Sequence, residues 1–135
     1  MQYDLQLIGY LNTFESLTRS KVKDVFFDAT ETLVFVMQPG EMGKAIGKKG
    51  SNVKRLGNLL KKRIRVIEFS SSALDFVKNC TLPLIPKKMV QEVDTITITM
   101  ENTQQKAMLL GRNKSNFLNM QKIVQRYYPV QLKVL

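Results

Sequence analysis

The stretch GKAIGKKGS, residues 43–51, follows the apolar run TLVFVM of residues 32–37 and places three glycines and three lysines in nine residues. A strand that leads into a glycine- and lysine-rich turn suits phosphate. Glycine lets the backbone come close, and a helix amino end adds N–H donors and positive dipole. The phosphate is either the tail of a nucleoside triphosphate or the backbone of a nucleic acid. The first reading makes the chain an enzyme, the second a binding protein.

Spacing separates the two. A P-loop has four residues between its glycines and then Lys-Ser or Lys-Thr. Here Gly43 and Gly47 enclose three residues, and Lys48 is followed by Lys49, so no hydroxyl stands where magnesium would need one. A helix also precedes the turn, where a P-loop has a strand. What remains is helix, Gly47-Lys-Lys-Gly50, helix. A lone G-x-x-G is weak, and its surroundings make it specific: apolar Ile46 before it, two lysines inside it, Ser51 and Asn52 after it.

Working outward, 5–17 reads as an amphipathic helix with Leu5, Ile8, Leu11 or Tyr10, and Phe14 on one face. Residues 22–28 and 32–37 form a hairpin. A short helix at 41–46 enters the turn. Ser51 opens the next helix, with Val53, Leu56 and Leu60 on its inner face and Lys54, Arg55, Asn58 and Lys61 outside. Residues 64–69 are a third strand. The order is α-β-β-α-α-β, and it then restarts.

Helix 73–80, strands 89–93 and 95–100, helices 103–110 and 115–127 and strand 130–135 repeat it. Aligning Gly47 with Gly111, an offset of 111 − 47 = 64, pairs Ser51 with Ser115, Asn52 with Asn116, Val53 with Phe117, Leu56 with Met120 and Leu59 with Ile123. Two α+β domains are expected, 1–69 with the GKKG loop and 70–135 with a degenerate GRNK loop, packed against each other with the serines at 70–72 as the junction. Each is small enough to be marginal alone.

Composition agrees. The 135 residues carry 21 Lys and Arg against 11 Asp and Glu, a formal charge of +10. That excess favours polyanionic partners. From Lys44 to Arg65 there are nine basic residues and no acid, and after Glu101 six basic residues and no acid. Lys61, Lys62 and Arg63 read as a solvated helix face; Lys48 and Lys49, inside the glycine pair, read as phosphate contacts. Histidine is absent and Cys80 is the single cysteine, so neither a His/Cys metal site nor a His-based nucleophile pair can be assembled. No cofactor, metal or small-molecule substrate is expected, and no catalysis. The amino-terminal residues lack the features of a signal peptide and no run nears the ~18 apolar residues of a membrane span, so the cytoplasm is the expected home.

Helix, G-x-x-G, helix on a three-stranded sheet is the KH arrangement, whose loop clamps about four nucleotides of single strand. The segment VKDVFFDATETLVFVMQPGEMGKAIGKKGSNVKRL and the later LLGRNKSNF resemble the archaeal NusA-like transcription factors over essentially the whole chain, with PGEMGKAIGKKGSNVKRL the specific part. That resemblance implies tandem type II KH domains, single-stranded RNA as ligand and RNA polymerase as a further partner, in elongation or termination. The RNA-contacting residues it implies are Ile46, Gly47, Lys48, Lys49, Gly50, Ser51, Asn52, Lys54 and Arg55, with Gly111, Arg112, Asn113 and Lys114 in the second unit. Ile46 and Val53 serve equally well as core. Lys114 departs from the motif, where a second glycine belongs, and a lysine there is expected to open or strain the loop. Either Arg112 and Lys114 still touch phosphate, or the second unit serves mainly to brace the first. Ribosomal or RNA-processing work, and an adaptor role on polymerase, are the alternatives that the residues leave open.

Overall fold

The computed structural model describes residues 5–135, and these divide into two compact units at the Phe69–Ser70 boundary. Residues 1–4, on which the reading of the amino terminus partly rests, lie outside the described residues.

In unit 1, α1 (Leu5–Thr18) precedes β1 (Val22–Phe27), β2 (Leu33–Met37), α2 (Met42–Ile46), α3 (Ser51–Leu60) and β3 (Ile64–Glu68). The sheet order is β1-β2-β3, with β1 antiparallel and β3 parallel to β2. A parallel neighbour requires a crossover, and α2 and α3 supply it. The continuous run Leu-Val-Phe-Val-Met of β2 suits a central strand, and all five residues are buried. Leu33, Phe35 and Met37 join Phe14, Val25, Ala45 and Leu56 in one core, in which the Phe14 and Phe35 rings stack with centroids 4.0 Å apart. Truncating such a ring typically costs about 3–5 kcal/mol.

The hairpin tip is built by Asp28. Its Oδ1 accepts from the Thr30 N–H at 2.8 Å, the Thr30 hydroxyl at 2.7 Å and the Thr32 N–H at 3.0 Å. Short acidic side chains favour turns for this reason.

Helix α1 differs from expectation. Its inward residues are Leu7, Tyr10, Leu11, Phe14 and Leu17, while Leu5 is 88% exposed and Ile8 is also exposed. Seven apolar residues in this helix offer two overlapping stripes, and packing on the sheet selects the one that carries Leu7.

Unit 2 repeats the order with α4 (Ala73–Thr81), β4 (Lys88–Glu92), β5 (Thr95–Thr99), α5 (Thr103–Leu110), α6 (Ser115–Gln125) and β6 (Gln131–Val134). Its sheet is β4-β5-β6, antiparallel then parallel. The alternation in β5 is realised: Ile96 and Ile98 are buried and the threonines half-buried. Ser72 caps α4 by accepting from the Asp75 N–H at 3.3 Å, so the serine run that breaks the first pattern also starts the second. Leu56 and Met120 are both buried, as their pairing in the repeat requires. Leu59 and Ile123 part company, at 62% and 2% exposure, because α6 buries a wider face than α3 does.

Candidate nucleic-acid interface

Helix α2 ends where Gly47 turns the chain. The Gly47 N–H donates to the Gly43 carbonyl at 3.0 Å, and the Gly50 N–H donates to the Gly47 carbonyl at 3.3 Å. Gly47 has φ 74° and ψ 176°, a region open essentially to glycine alone. Space imposes the same choice: a Cβ at Gly47 would lie 2.7 Å from Cγ of Asn52. Asn52 is held there because its Nδ2 donates to the Lys44 carbonyl at 2.8 Å. The side chain two residues after the turn therefore ties the end of α2 to the start of α3.

Gly50 is a different case. At φ 72° and ψ 17° it is left-handed, but an added Cβ would meet nothing within 4 Å. Between the glycines Lys48 and Lys49 are exposed, Lys49 itself being left-handed at φ 55°. Ser51, Lys54 and Arg55 are exposed along α3, while Ile46 and Val53 are half-buried at the edge of the core.

The second loop copies the first bond for bond. The Gly111 N–H donates to the Ala107 carbonyl at 2.9 Å and the Lys114 N–H to the Gly111 carbonyl at 3.2 Å. Asn116 Nδ2 donates to the Met108 carbonyl at 3.2 Å, and a Cβ at Gly111 would lie 2.6 Å from Cγ of Asn116. Backbone angles match as well: Gly111 at φ 72° and ψ 178°, Asn113 at φ 53° and ψ 33°, Lys114 at φ 61° and ψ 23°. Lysine in place of the second glycine thus leaves the loop closed. The opened loop expected from the sequence is not found; at the matching Gly50 an added Cβ would meet nothing within 4 Å, and Lys114 is exposed. Left-handed backbone still costs a lysine on the order of 1 kcal/mol. Arg112, Asn113 and Lys114 are all exposed.

The helix starts differ in their caps. Ser72 caps α4 and Asn102 caps α5, its side chain accepting from the Gln105 N–H at 2.8 Å. No side chain caps α2, α3 or α6. The two helices that follow the glycine turns present their positive ends to solvent beside lysines, which is what an anion requires.

The residues named from the sequence lie together at each turn, and one of them has a structural partner that the sequence did not show. A first-turn asparagine reads as a surface contact, and the Asn52 amide Nδ2 donates to a carbonyl eight residues back. The recurrence of Asn52 as Asn116 was the available signal. Lys61, Lys62 and Arg63 are exposed, but they rim a concavity with Phe27 and the hairpin tip instead of lining a plain helix face. Among the described residues, no three His, Cys, Asp or Glu form a group that could hold a metal, and no helix is long and apolar enough to cross a membrane.

A family model described as KH domain matches residues 11–79. A "Probable transcription termination protein NusA" of Methanococcus vannielii is 39% identical over 74 residues, which cover 55% of this chain and 42% of that protein. The protein of the same name from Methanocaldococcus jannaschii is 26% identical over 136 residues, covering 98% and 72%. That of Halobacterium salinarum is 29% identical over 119 residues, covering 87% and 85%. Among solved structures, the crystal structure of APE1850 shares the fold with a TM-score of 0.76 at 23% identity, over 98% of this chain and 100% of that one. The chain belongs to the KH domain family, as an archaeal NusA-like KH protein.

Proposed function

We propose that the protein binds single-stranded RNA through two phosphate cradles on tandem type II KH domains, 1–69 and 70–135, and acts on nascent transcripts in elongation and termination. It does so without catalysis, in the cytoplasm, with RNA polymerase as its second partner. One observation carries the reading. Two turns 64 residues apart (111 − 47) share their backbone angles and hydrogen bonds, and each leads into a helix left without a side-chain cap.

In the first cradle Gly47 and Gly50 admit a phosphate, Lys48 and Lys49 neutralise it and its neighbour, and Ser51, Lys54 and Arg55 extend the contact along α3. Ile46 and Val53 offer an aliphatic surface to bases. In the second, Gly111, Arg112, Asn113 and Lys114 do the same. Asn52 and Asn116 hold the cradles in shape. The names of the archaeal relatives, which concern transcription termination, favour transcription over ribosomal or processing work.

Phosphate contacts release counterions, so the affinity should fall steeply with salt. About four to six contacts give a log–log slope of roughly −3 to −4, at ~0.7 per contact on a single strand. Titration of an unstructured RNA against salt measures it, and duplex DNA should compete poorly. A slope near zero overturns the reading.

A further inference from the structure

We propose that the concavity beyond the carboxyl end of α3 is a second RNA subsite, which takes one nucleotide of the strand held by the first cradle. It stacks the base on Phe27 and sets the phosphate against Lys61 and Lys62. The inference rests on the RNA reading above. The concavity has a volume of about 570 Å³, within the ~300–1,000 Å³ of small-ligand sites.

Phe27 lies on the edge strand β1 and is 38% exposed, with Tyr10 edge-on to its ring at 6.2 Å. Lys62 Nζ stands over the same ring, 5.7 Å from its centroid. Among the described residues the lining holds three cations, Lys61, Lys62 and Arg63, and one acid, Glu31. The wall is built in advance: Asp28 fixes the hairpin tip, and Arg63 Nη2 donates to the Thr30 carbonyl at 2.7 Å. Arg63 is thereby committed to the wall, and the two lysines are the mobile cations.

An aromatic face beside mobile cations is how single strands are held where sequence is not read. The route to it is also present. Lys54, Asn58 and Lys61 stand at i, i+4 and i+7, all exposed, along the ten residues (~15 Å) of α3 that separate the G-x-x-G turn from the concavity. No acid interrupts the chain between Lys44 and Arg65.

The test compares mixed-sequence RNA of about four nucleotides, the reach of one clamp, with RNA of about twelve. Phe27→Ala and Lys62→Glu should each weaken the longer strand about tenfold and leave the shorter one unchanged. Phe27→Tyr, which keeps a stacking face, should hold both affinities. Should Phe27→Ala fail to fold by circular dichroism, Lys62→Glu and Phe27→Tyr decide the matter. Equal loss on both lengths, or no loss on the longer, overturns the subsite. Polyglutamate binding that is lost in Lys62→Glu while the longer strand binds both proteins equally also overturns it and gives the concavity to an acidic protein partner. Lys48→Asp with Lys49→Asp separates the two ideas. If that variant keeps its affinity while Lys62→Glu loses it, the cradle reading fails and the subsite stands.

Discussion

Gly47 and Gly50 look equivalent in the motif and are not equivalent in the fold. Gly47 is required twice, by a φ of 74° with ψ near 180° and by the Asn52 amide 2.7 Å from where its Cβ would sit. Gly50 is required only by its left-handed φ, which Lys114 shows a larger residue can adopt at the matching position. Gly47→Ala should therefore destabilise the protein by about 2 kcal/mol and abolish RNA binding. Gly50→Ala should cost about 1 kcal/mol and retain most of the affinity. Denaturant midpoints and RNA affinities of the two variants check this, and equal effects would contradict it. Lys114→Gly belongs to the same argument. The second loop is already closed, so glycine restores nothing there and removes a charge; the affinity should fall about threefold at low salt. A rise would mean that the lysine obstructs the loop. The glycines and lysines were readable from the sequence because residue type states their need directly. The role of Asn52 was not, because it depends on where the carbonyl of Lys44 comes to lie.

At the scale of elements, short alternating or continuous apolar runs placed every strand to within two residues. Strand β5, with its threonine–isoleucine alternation, and the uninterrupted β2 are the clearest cases. Helix faces were less secure. The sequence of α1 is apolar at both Leu5 and Leu7 and at both Ile8 and Leu11, so only the sheet beneath it could choose between them. The Leu59–Ile123 mismatch has a similar origin, since how much of α3 or α6 is covered depends on neighbours that the repeat alignment does not contain. The β4–β5 turn holds a local conflict. Val93 is β-branched, 94% exposed and left-handed at φ 56°. Asparagine tolerates that backbone far better, so Val93→Asn should stabilise the protein by about 1 kcal/mol. A higher denaturant midpoint with unchanged RNA affinity is the expected result, and a lower midpoint would mean that the valine side chain supports the turn.

For the molecule as a whole, the offset of 64 was legible because the glycine turns and the apolar helix positions recur together, even though few identities survive. That the second cradle keeps its shape was not legible, because residue type alone does not say that Lys114 adopts the left-handed backbone of Gly50. The central claim is that these turns hold RNA phosphate. The most direct measurement is the affinity of Lys48→Asp with Lys49→Asp for unstructured RNA, with circular dichroism on the same protein. Both side chains are exposed, and substitutions at such positions change stability by less than about 0.5 kcal/mol. The account predicts a native spectrum and RNA binding lost; a native spectrum with unchanged affinity would contradict it.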